Sequence, residues 1–285
     1  MTFTSHCLDI VSDINIIRDK ILLAKKQNKK ISFVPTMGSL HKGHLSLIRK
    51  SKLVGDVSIV SIFVNPMQFG PKEDYSVYPR QEAKDIKLLE DIGVDILYLP
   101  DKTTIYPKNF QTEVSVKDIE NTLCGKFRSS HFKGVATIVT KLLIQVMPDY
   151  AIFGEKDYQQ LVLITQLVSD LNIPVNVISC PTVRENDGLA FSSRNNFLSE
   201  DGRYIASNLY SELLTVADSV RLGGNIQNIC EKAVQNLLNI GFTSVDYVEV
   251  CDAISLKKLD KLEDNTRVFG AAYIGHTRII DNISI

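Results

Sequence analysis

Two histidines three residues apart, His41 and His44, stand in the stretch Pro35-Thr36-Met37-Gly38-Ser39-Leu40-His41-Lys42-Gly43-His44. Their spacing is open to three chemistries. Two imidazoles on one helical face can share a metal ion, although no third Cys, His or acidic residue falls at a familiar ligand spacing and H-E-x-x-H is absent. A histidine at a helix start can simply be satisfied there. The pair can also donate to phosphate oxygens at a helix N-terminus, where amide donors and the positive end of the helix dipole converge. Met37-Gly38 would then let the backbone approach a nucleotide closely. Walker A and G-x-G-x-x-G patterns are both absent, so such a site is neither a P-loop nor a dinucleotide turn.

Other residues of the same kind lie downstream. Lys156 in Gly154-Glu155-Lys156-Asp157 is either a phosphate ligand or a solvated loop lysine, and Asp157 can cap a following helix. In Phe191-Ser192-Ser193-Arg194-Asn195, two hydroxyls beside an arginine suit a phosphate, as an ordinary serine-rich turn also allows. Arg128-Ser129-Ser130-His131-Phe132 carries the same ambiguity. Gln68, Gln159 and Gln160 are neutral amides that can bond a polar, uncharged part of a substrate or merely face water.

The elements that must position these residues read as an alternation. Helices are expected over 12–26, 44–53, 81–92, 135–146 and 157–171, and strands over 31–36, 57–64, 95–99, 150–153 and 175–179. A short strand is also expected at Glu113 to Val116, within an otherwise irregular stretch from Pro100 to Phe132. The alternation predicts a doubly wound, Rossmann-like parallel α/β sheet. Ligands bind such sheets at the carboxyl ends of strands, near a switch point. Residues 35–44, 65–71 and 154–160 all follow strands at that edge. Beyond residue 183 the pattern becomes two helices, 200–222 and 226–240, then strands at 244–251, 266–274 and 277–283. That predicts a smaller α+β domain over 184–285, with Arg184-Glu185-Asn186-Asp187-Gly188 as the hinge from a first domain over 1–183.

The chain has 285 residues, 44% hydrophobic and 23% charged, with a net charge of −1. That is the profile of an ordinary globular protein, with no basic field to suggest nucleic acid or an anionic membrane. The basic group Lys25, Lys26, Lys29 and Lys30 falls at the end of the first helix, where cations complement the dipole. Five scattered cysteines without a C-x-x-C pair argue against a disulfide framework or zinc knuckle, and for a reducing compartment. Residues 1–6 lack a signal-peptide pattern and no apolar run reaches membrane-spanning length, so a cytoplasmic protein is expected.

The stretches PTMGSLHKGH (35–44), SIFVNPMQFGP (61–71), EDYSVYPR (73–80), RSSHFKGV (128–135), FGEKDYQQL (153–161) and VRENDGLAFSSRN (183–195) occur in one order across residues 33 to 195. Together they make the chain resemble the pantothenate synthetase (pantoate–β-alanine ligase) family of the HIGH-type nucleotidyltransferase superfamily. The resemblance implies ATP-dependent joining of (R)-pantoate to β-alanine through a pantoyl-adenylate, with release of pyrophosphate and AMP. It implies that Met37, Gly38, Ser39, Leu40, His41, Lys42, Gly43 and His44 hold ATP, with both histidines at the phosphates and His44 as the catalytic proton donor. Gly154, Glu155, Lys156, Asp157, Val183 and Phe191 would line the nucleotide site, and Lys156, Ser192, Ser193 and Arg194 would grip the phosphates. Gln68 and Gln160 would bind pantoate, with Gln68 also near β-alanine. Mg²⁺ would arrive with ATP rather than in a protein cage. The C-terminal domain would act as a lid, and a homodimer is implied. Two positions depart from the family pattern: Phe191 replaces a Met or Leu, and Ser129-Ser130 replaces Pro-Gly, for which a more flexible loop is expected. From the residues alone, a metal-dependent hydrolase, a non-enzymatic nucleotide-binding protein and an adenylyltransferase that leaves AMP on its product are the rival readings.

Overall fold

In a computed structural model, residues 7–71 and 73–285 are described; the reading of residues 1–6 falls outside them. By packing, the chain divides into two units. The first runs to Val116 and includes Ser130–Glu155 and Leu163–Cys180. The second holds Lys117–Ser129, Lys156–Val162 and Pro181–Ile285. Packing therefore does not follow one cut at residue 183, because two earlier segments belong with the C-terminal part.

The first unit opens with β1 (Asp9–Val11), α1 (Ile14–Lys26), β2 (Ile31–Thr36), α2 (Lys42–Val54), β3 (Val57–Ile62), α3 (Glu82–Ile92), β4 (Ile96–Tyr98) and α4 (Lys102–Ile105). Asp13 caps α1 by accepting the amides of Asn15 and Ile16 at 2.7 and 3.1 Å. Lys25 and Lys26 lie in its last turn, as the dipole favours. In the second unit α5 (Leu123–Phe127) is a single turn. The chain then returns to the first unit with α6 (His131–Val146), β5 (Tyr150–Gly154), α7 (Tyr158–Asp170) and β6 (Asn176–Cys180), except that α7 begins in the second unit before ending in the first. The sheet order is β1-β4-β3-β2-β5-β6, and every pair is parallel. Strand order reverses between β2 and β5, which makes that junction the switch point. Val34, Ile48, Val60, Leu89, Leu97 and Ile152 are buried in one apolar cluster between this sheet and helices α2 and α3. Each contributes roughly 1.5–3 kcal/mol relative to exposure.

Three expectations are revised. The stretch Glu113–Val116 is not a strand; the Val114 amide instead donates to the Thr137 hydroxyl at 3.0 Å. β3 ends at Ile62, two residues early, where the chain turns to bring Gln68 inward. α7 begins at Tyr158, one residue later than expected, directly after a 3₁₀ turn at Glu155–Asp157.

The second unit continues with α8 (Glu200–Arg221), α9 (Ile226–Ile240) and the antiparallel sheet β7 (Ser244–Asp252), β8 (Thr266–Ile274) and β9 (Thr277–Ser284). Its two faces differ, as the period of two along a strand requires. Val248, Val250, Val268 and Ala272 pack with Leu209, Leu213 and Val216 of α8. A Cβ on Gly270 would lie 3.0 Å from the Leu209 and Leu213 side chains, so either leucine would have to yield by a few tenths of an ångström to admit a larger residue. The opposite face receives the two earlier segments. Tyr247 contacts Cys124 at 2.9 Å and Phe127 by ring packing, Lys258 and Lys126 reach Glu249, and Asn282 meets residue 156. The expected hinge is firmly held within this unit. Arg184 forms a bidentate pair with Asp281 and stacks on Tyr210 at 3.7 Å, while Arg203 grips Asp187 and Glu185.

Candidate active site

The turn after β2 is built from strained and over-determined backbone. Gly38 has φ +79 and Ser39 φ +52, both in the left-handed region. For serine this costs on the order of 1–3 kcal/mol, and such a conformation persists only where the surroundings impose it. Asp85 of α3 imposes it. It is 1% exposed, and its two carboxylate oxygens accept the Ser39 amide at 2.7 Å and the Leu40 amide at 2.8 Å. Burial pushes its carboxyl above the ordinary carboxylate value, and the Leu40 and Ser39 amides pull it back down. Thr36 completes the turn, accepting the Gly38 amide at 3.1 Å and donating to the Ser61 carbonyl at 2.8 Å.

His41 is the N-cap of α2. Its Nδ1 accepts the Gly43 amide at 3.2 Å, and His44 Nδ1 accepts the His41 amide at 3.4 Å. The rings lie 4.0 Å apart. A ring nitrogen that accepts an N–H carries no proton, so in each neutral imidazole the proton sits on Nε2. Each ring then offers an N–H donor, while a metal would need the lone pair of that same Nε2. This hydrogen bonding favours the anion reading over the metal pair, and it contains the structural reading as well, since both histidines cap the helix. Among the described residues no three His, Cys, Asp or Glu side chains are grouped to hold a metal.

Gln68 sits in a 3₁₀ turn, Pro66–Gln68, capped by Asn65. It is buried, its Oε1 accepts from Asn65 Nδ2 at 3.1 Å, and its Nε2 donates to Met37 Sδ at 2.8 Å. The structure thus brings Met37 and Gln68 together. The Asn65 amide is fixed in turn: Oδ1 accepts from the Tyr106 hydroxyl at 2.7 Å and from the Met67 amide, and Nδ2 also donates to the Gly134 carbonyl at 3.0 Å. Burial pushes the Tyr106 phenol well above its ordinary pKa, so it stays a donor. His131 Nδ1 donates to the Gln68 carbonyl at 2.8 Å. Gly154 ends β5, paired with Cys180 on β6, and Glu155 follows it.

The remaining expected residues belong to the second unit. Lys156 Nζ lies 3.8 Å from Asp157 Oδ1, with the lysine side chain 20% exposed. Gln160 is half-buried on α7. Gln159, read beside it as a substrate amide, is buried in structural work: Oε1 accepts the Cys124 amide, and Nε2 donates to the Ile119 and Thr122 carbonyls. It ties the 119–124 turn to α7. Ser192 caps the 3₁₀ turn Ser193–Phe197 by accepting the Arg194 amide at 3.2 Å. Ser193 is buried there and Arg194 half-buried. The Phe191 amide donates to the Val183 carbonyl at 3.1 Å, which keeps those two residues adjacent. Ser129 and Ser130 are exposed, and Arg128 is half-buried.

Asp85, Asn65 and Tyr106 escaped the sequence reading. Asp85 had left a signal, because it falls one turn before Leu89 on the buried stripe of an amphipathic helix, where a carboxylate needs dedicated partners.

A parallel sheet whose switch point carries a histidine-capped helix start defines a Rossmann-like α/β protein suited to a phosphorylated ligand. Comparison narrows the class. The pantoate–β-alanine ligase family model matches residues 9–284. A pantothenate synthetase of Paramagnetospirillum magneticum is 46% identical, covering 99% of each chain. One from Caldicellulosiruptor saccharolyticus is 47% identical over 97% of this chain and 99% of its own. The crystal structure of pantothenate synthetase from Thermus thermophilus superposes with a TM-score of 0.91 at 38% identity, covering 96% of this chain and 98% of that one. A pantoate–β-alanine ligase from Francisella tularensis, complexed with beta-gamma ATP and beta-alanine, gives a TM-score of 0.83 at 39% identity over 98% of both chains. The chain belongs to the pantoate–β-alanine ligase family.

Proposed function

We propose that the chain makes pantothenate, the coenzyme A precursor, by joining (R)-pantoate to β-alanine in two ATP-driven steps. In the first, a pantoate carboxylate oxygen attacks the α-phosphorus of ATP and pyrophosphate leaves, giving pantoyl-adenylate. In the second, the β-alanine amine attacks the pantoyl carbonyl, AMP leaves, and the nitrogen loses a proton. A carboxylate is a poor acyl donor because oxide cannot leave, and AMP can. Charge builds on phosphate oxygens in the first step, so preorganised donors are the main catalytic resource.

The observation that carries this reading is the turn from Met37 to His44, with both histidines holding Nε2–H as donors at the start of α2. His41 and His44 bond the phosphates, and His44 gives its proton to the departing pyrophosphate. Met37 to Leu40, with Gly154, Glu155, Asp157, Val183 and Phe191, line the nucleotide. Lys156, Ser192, Ser193 and Arg194 stabilise the phosphate charge. Gln68, whose Oε1 is already engaged by Asn65, offers N–H to pantoate and to the incoming β-alanine, and Gln160 bonds pantoate. Magnesium bound to ATP would neutralise the triphosphate. The donor set fits an ion held by phosphate and water, since the Asp85 carboxylate beside the turn is engaged by two amides. The chain acts as a homodimer in the cytoplasm, and sedimentation checks the first of these.

The test is product analysis. With Mg-ATP, pantoate and β-alanine, the protein should yield pantothenate, AMP and pyrophosphate in equal amounts. ADP and phosphate in place of AMP and pyrophosphate would overturn the reading. A His44→Ala variant should keep its circular dichroism spectrum and lose turnover.

A further inference from the structure

Strand β9 carries two adjacent polar residues that are almost fully buried, Asp281 and Asn282, each 4% exposed. Neither belongs to any stretch from which function was read. Alternation along the strand sends them to opposite faces of the sheet. Asp281 pairs with Gly270, on the α8 side, and there takes the bidentate grip of Arg184. Asn282 pairs with Phe269 on the other face, so Arg267, Phe269 and Asn282 form one surface.

That surface holds the chain where it leaves β5. Asn282 Nδ2 donates to the main-chain carbonyl of Lys156 at 2.9 Å. Asn282 Oδ1 accepts from the Arg267 guanidinium, which fixes the amide with its NH₂ toward Lys156. Arg267 also stacks over the ring of Tyr158 at 3.8 Å, and Phe269 packs on the same ring at 5.9 Å. The short segment from Lys156 to Tyr158 is therefore anchored by three side chains of one sheet face. Lys156 and Asp157 belong to the 3₁₀ turn Glu155–Asp157 that precedes α7; the hydrogen bonds of such a turn are poor, so the outside anchor adds order where the turn itself supplies little.

We propose that Asn282 is a positioning residue for Lys156, setting the main-chain origin from which the ammonium reaches the nucleotide phosphates. The proposal rests on the reading of Lys156 as a phosphate ligand given above. A lysine carries its charge on a four-carbon flexible stem, so its placement depends on where the stem starts. The Asn282 bond fixes that start without touching the ligand. Asp281 does comparable work beside it, because Arg184 also donates to the Gly188 carbonyl at 3.0 Å at the head of the segment ending in Ser192, Ser193 and Arg194.

The test is a double-mutant cycle on the full chain, read as pyrophosphate release from Mg-ATP and pantoate without β-alanine. Asn282→Asp is nearly isosteric. Its carboxylate still accepts from Arg267 but faces the Lys156 carbonyl without a donor. A displacement near 1 Å can cost on the order of 10²-fold in rate, so Asn282→Asp should slow the step by about 10- to 100-fold, with the KM for β-alanine unchanged in the full reaction. In a Lys156→Ala background the same substitution should cost less than about twofold, because the side chain it positions is gone. If Asn282→Asp slows both backgrounds equally, the residue is merely structural and the proposal falls. It falls also if Asn282→Asp leaves the rate unchanged while Lys156→Ala lowers it. If Lys156→Ala itself leaves the rate unchanged, the assignment of Lys156 fails first and takes the proposal with it. Should the carboxylate unfold the strand, Asn282→Ala is read in the same cycle by the same criteria.

Discussion

Asp85→Asn separates the geometry of the β2–α2 turn from overall stability. The wild-type carboxylate accepts two buried amides, from Ser39 and Leu40. Asparagine keeps one acceptor oxygen and turns an NH₂ group on the other amide. A hydrogen bond to a charged acceptor is worth roughly 1.5–3 kcal/mol net. Losing one removes about that much of the preference that keeps Ser39 at positive φ. With about 1.36 kcal/mol per tenfold, the competent turn falls by roughly 10- to 150-fold. The expected result is a drop of that size in kcat/KM for ATP, with the KM for β-alanine unaffected. Stability should move differently. Burial raises the Asp85 carboxyl above its ordinary value, so the folded protein binds its proton more tightly than the unfolded chain does. That contribution is fully present below about pH 4 and is lost as pH rises through the raised native value. Asparagine lacks this loss, so urea titrations should show the variant gaining on wild type as pH rises from about pH 4 through the raised native value. A folded Asp85→Asn protein with kcat/KM for ATP within about twofold of wild type would refute the role of Asp85.

Three other perturbations have defined outcomes. A Cβ on Gly134 would meet the Met67 carbonyl oxygen at 2.3 Å and the Gln68 amide nitrogen at 2.6 Å. Gly134→Ala should therefore displace Gln68 and raise the KM for pantoate by about tenfold or more, as steady-state kinetics would show. Tyr106→Phe removes the phenol donor to Asn65 Oδ1; a neutral bond of this kind is worth about 1 kcal/mol, so the KM for pantoate should rise about fivefold with that for ATP unchanged. Asp149 accepts the Ile31 amide and the Lys30 ammonium, both at 2.9 Å, where β5 starts beside β2. Burial pushes its carboxyl up, but the Ile31 and Lys30 bonds outweigh it and the pKa ends below the ordinary value. Its stability contribution is present above about pH 4 and is lost as pH falls through the depressed native value. Asp149→Asn should therefore destabilise at about pH 6 and much less near about pH 2 in urea titrations.

Most of the layout was legible because apolar period and punctuation agree. β2 matches the strand expected over 31–36, and α1 falls within the helix expected over 12–26. The irregular stretch from 100 to 132 was opaque for a physical reason: its order comes from distant side chains, such as Thr137 bonding the Val114 amide and Gln159 bonding the 119–124 turn. Local sequence carries no trace of such partners. The same holds around the site. His41, His44 and Gln68 stand out by type and spacing, whereas Asp85, Asn65 and Asn282 act by holding backbone or another amide. The hinge at 184–188 was read from flexible residue types, and Arg184 and Arg203 override that composition.

In the proposed reaction ATP and pantoate combine before β-alanine is needed. Isotope exchange between labelled pyrophosphate and ATP tests it directly. With Mg²⁺ and pantoate but no β-alanine, label should enter ATP at a rate comparable to turnover, and the exchange should vanish when pantoate is omitted or His44 is replaced by alanine. Exchange that requires β-alanine, or none at all from a protein that makes pantothenate, would contradict an adenylate intermediate.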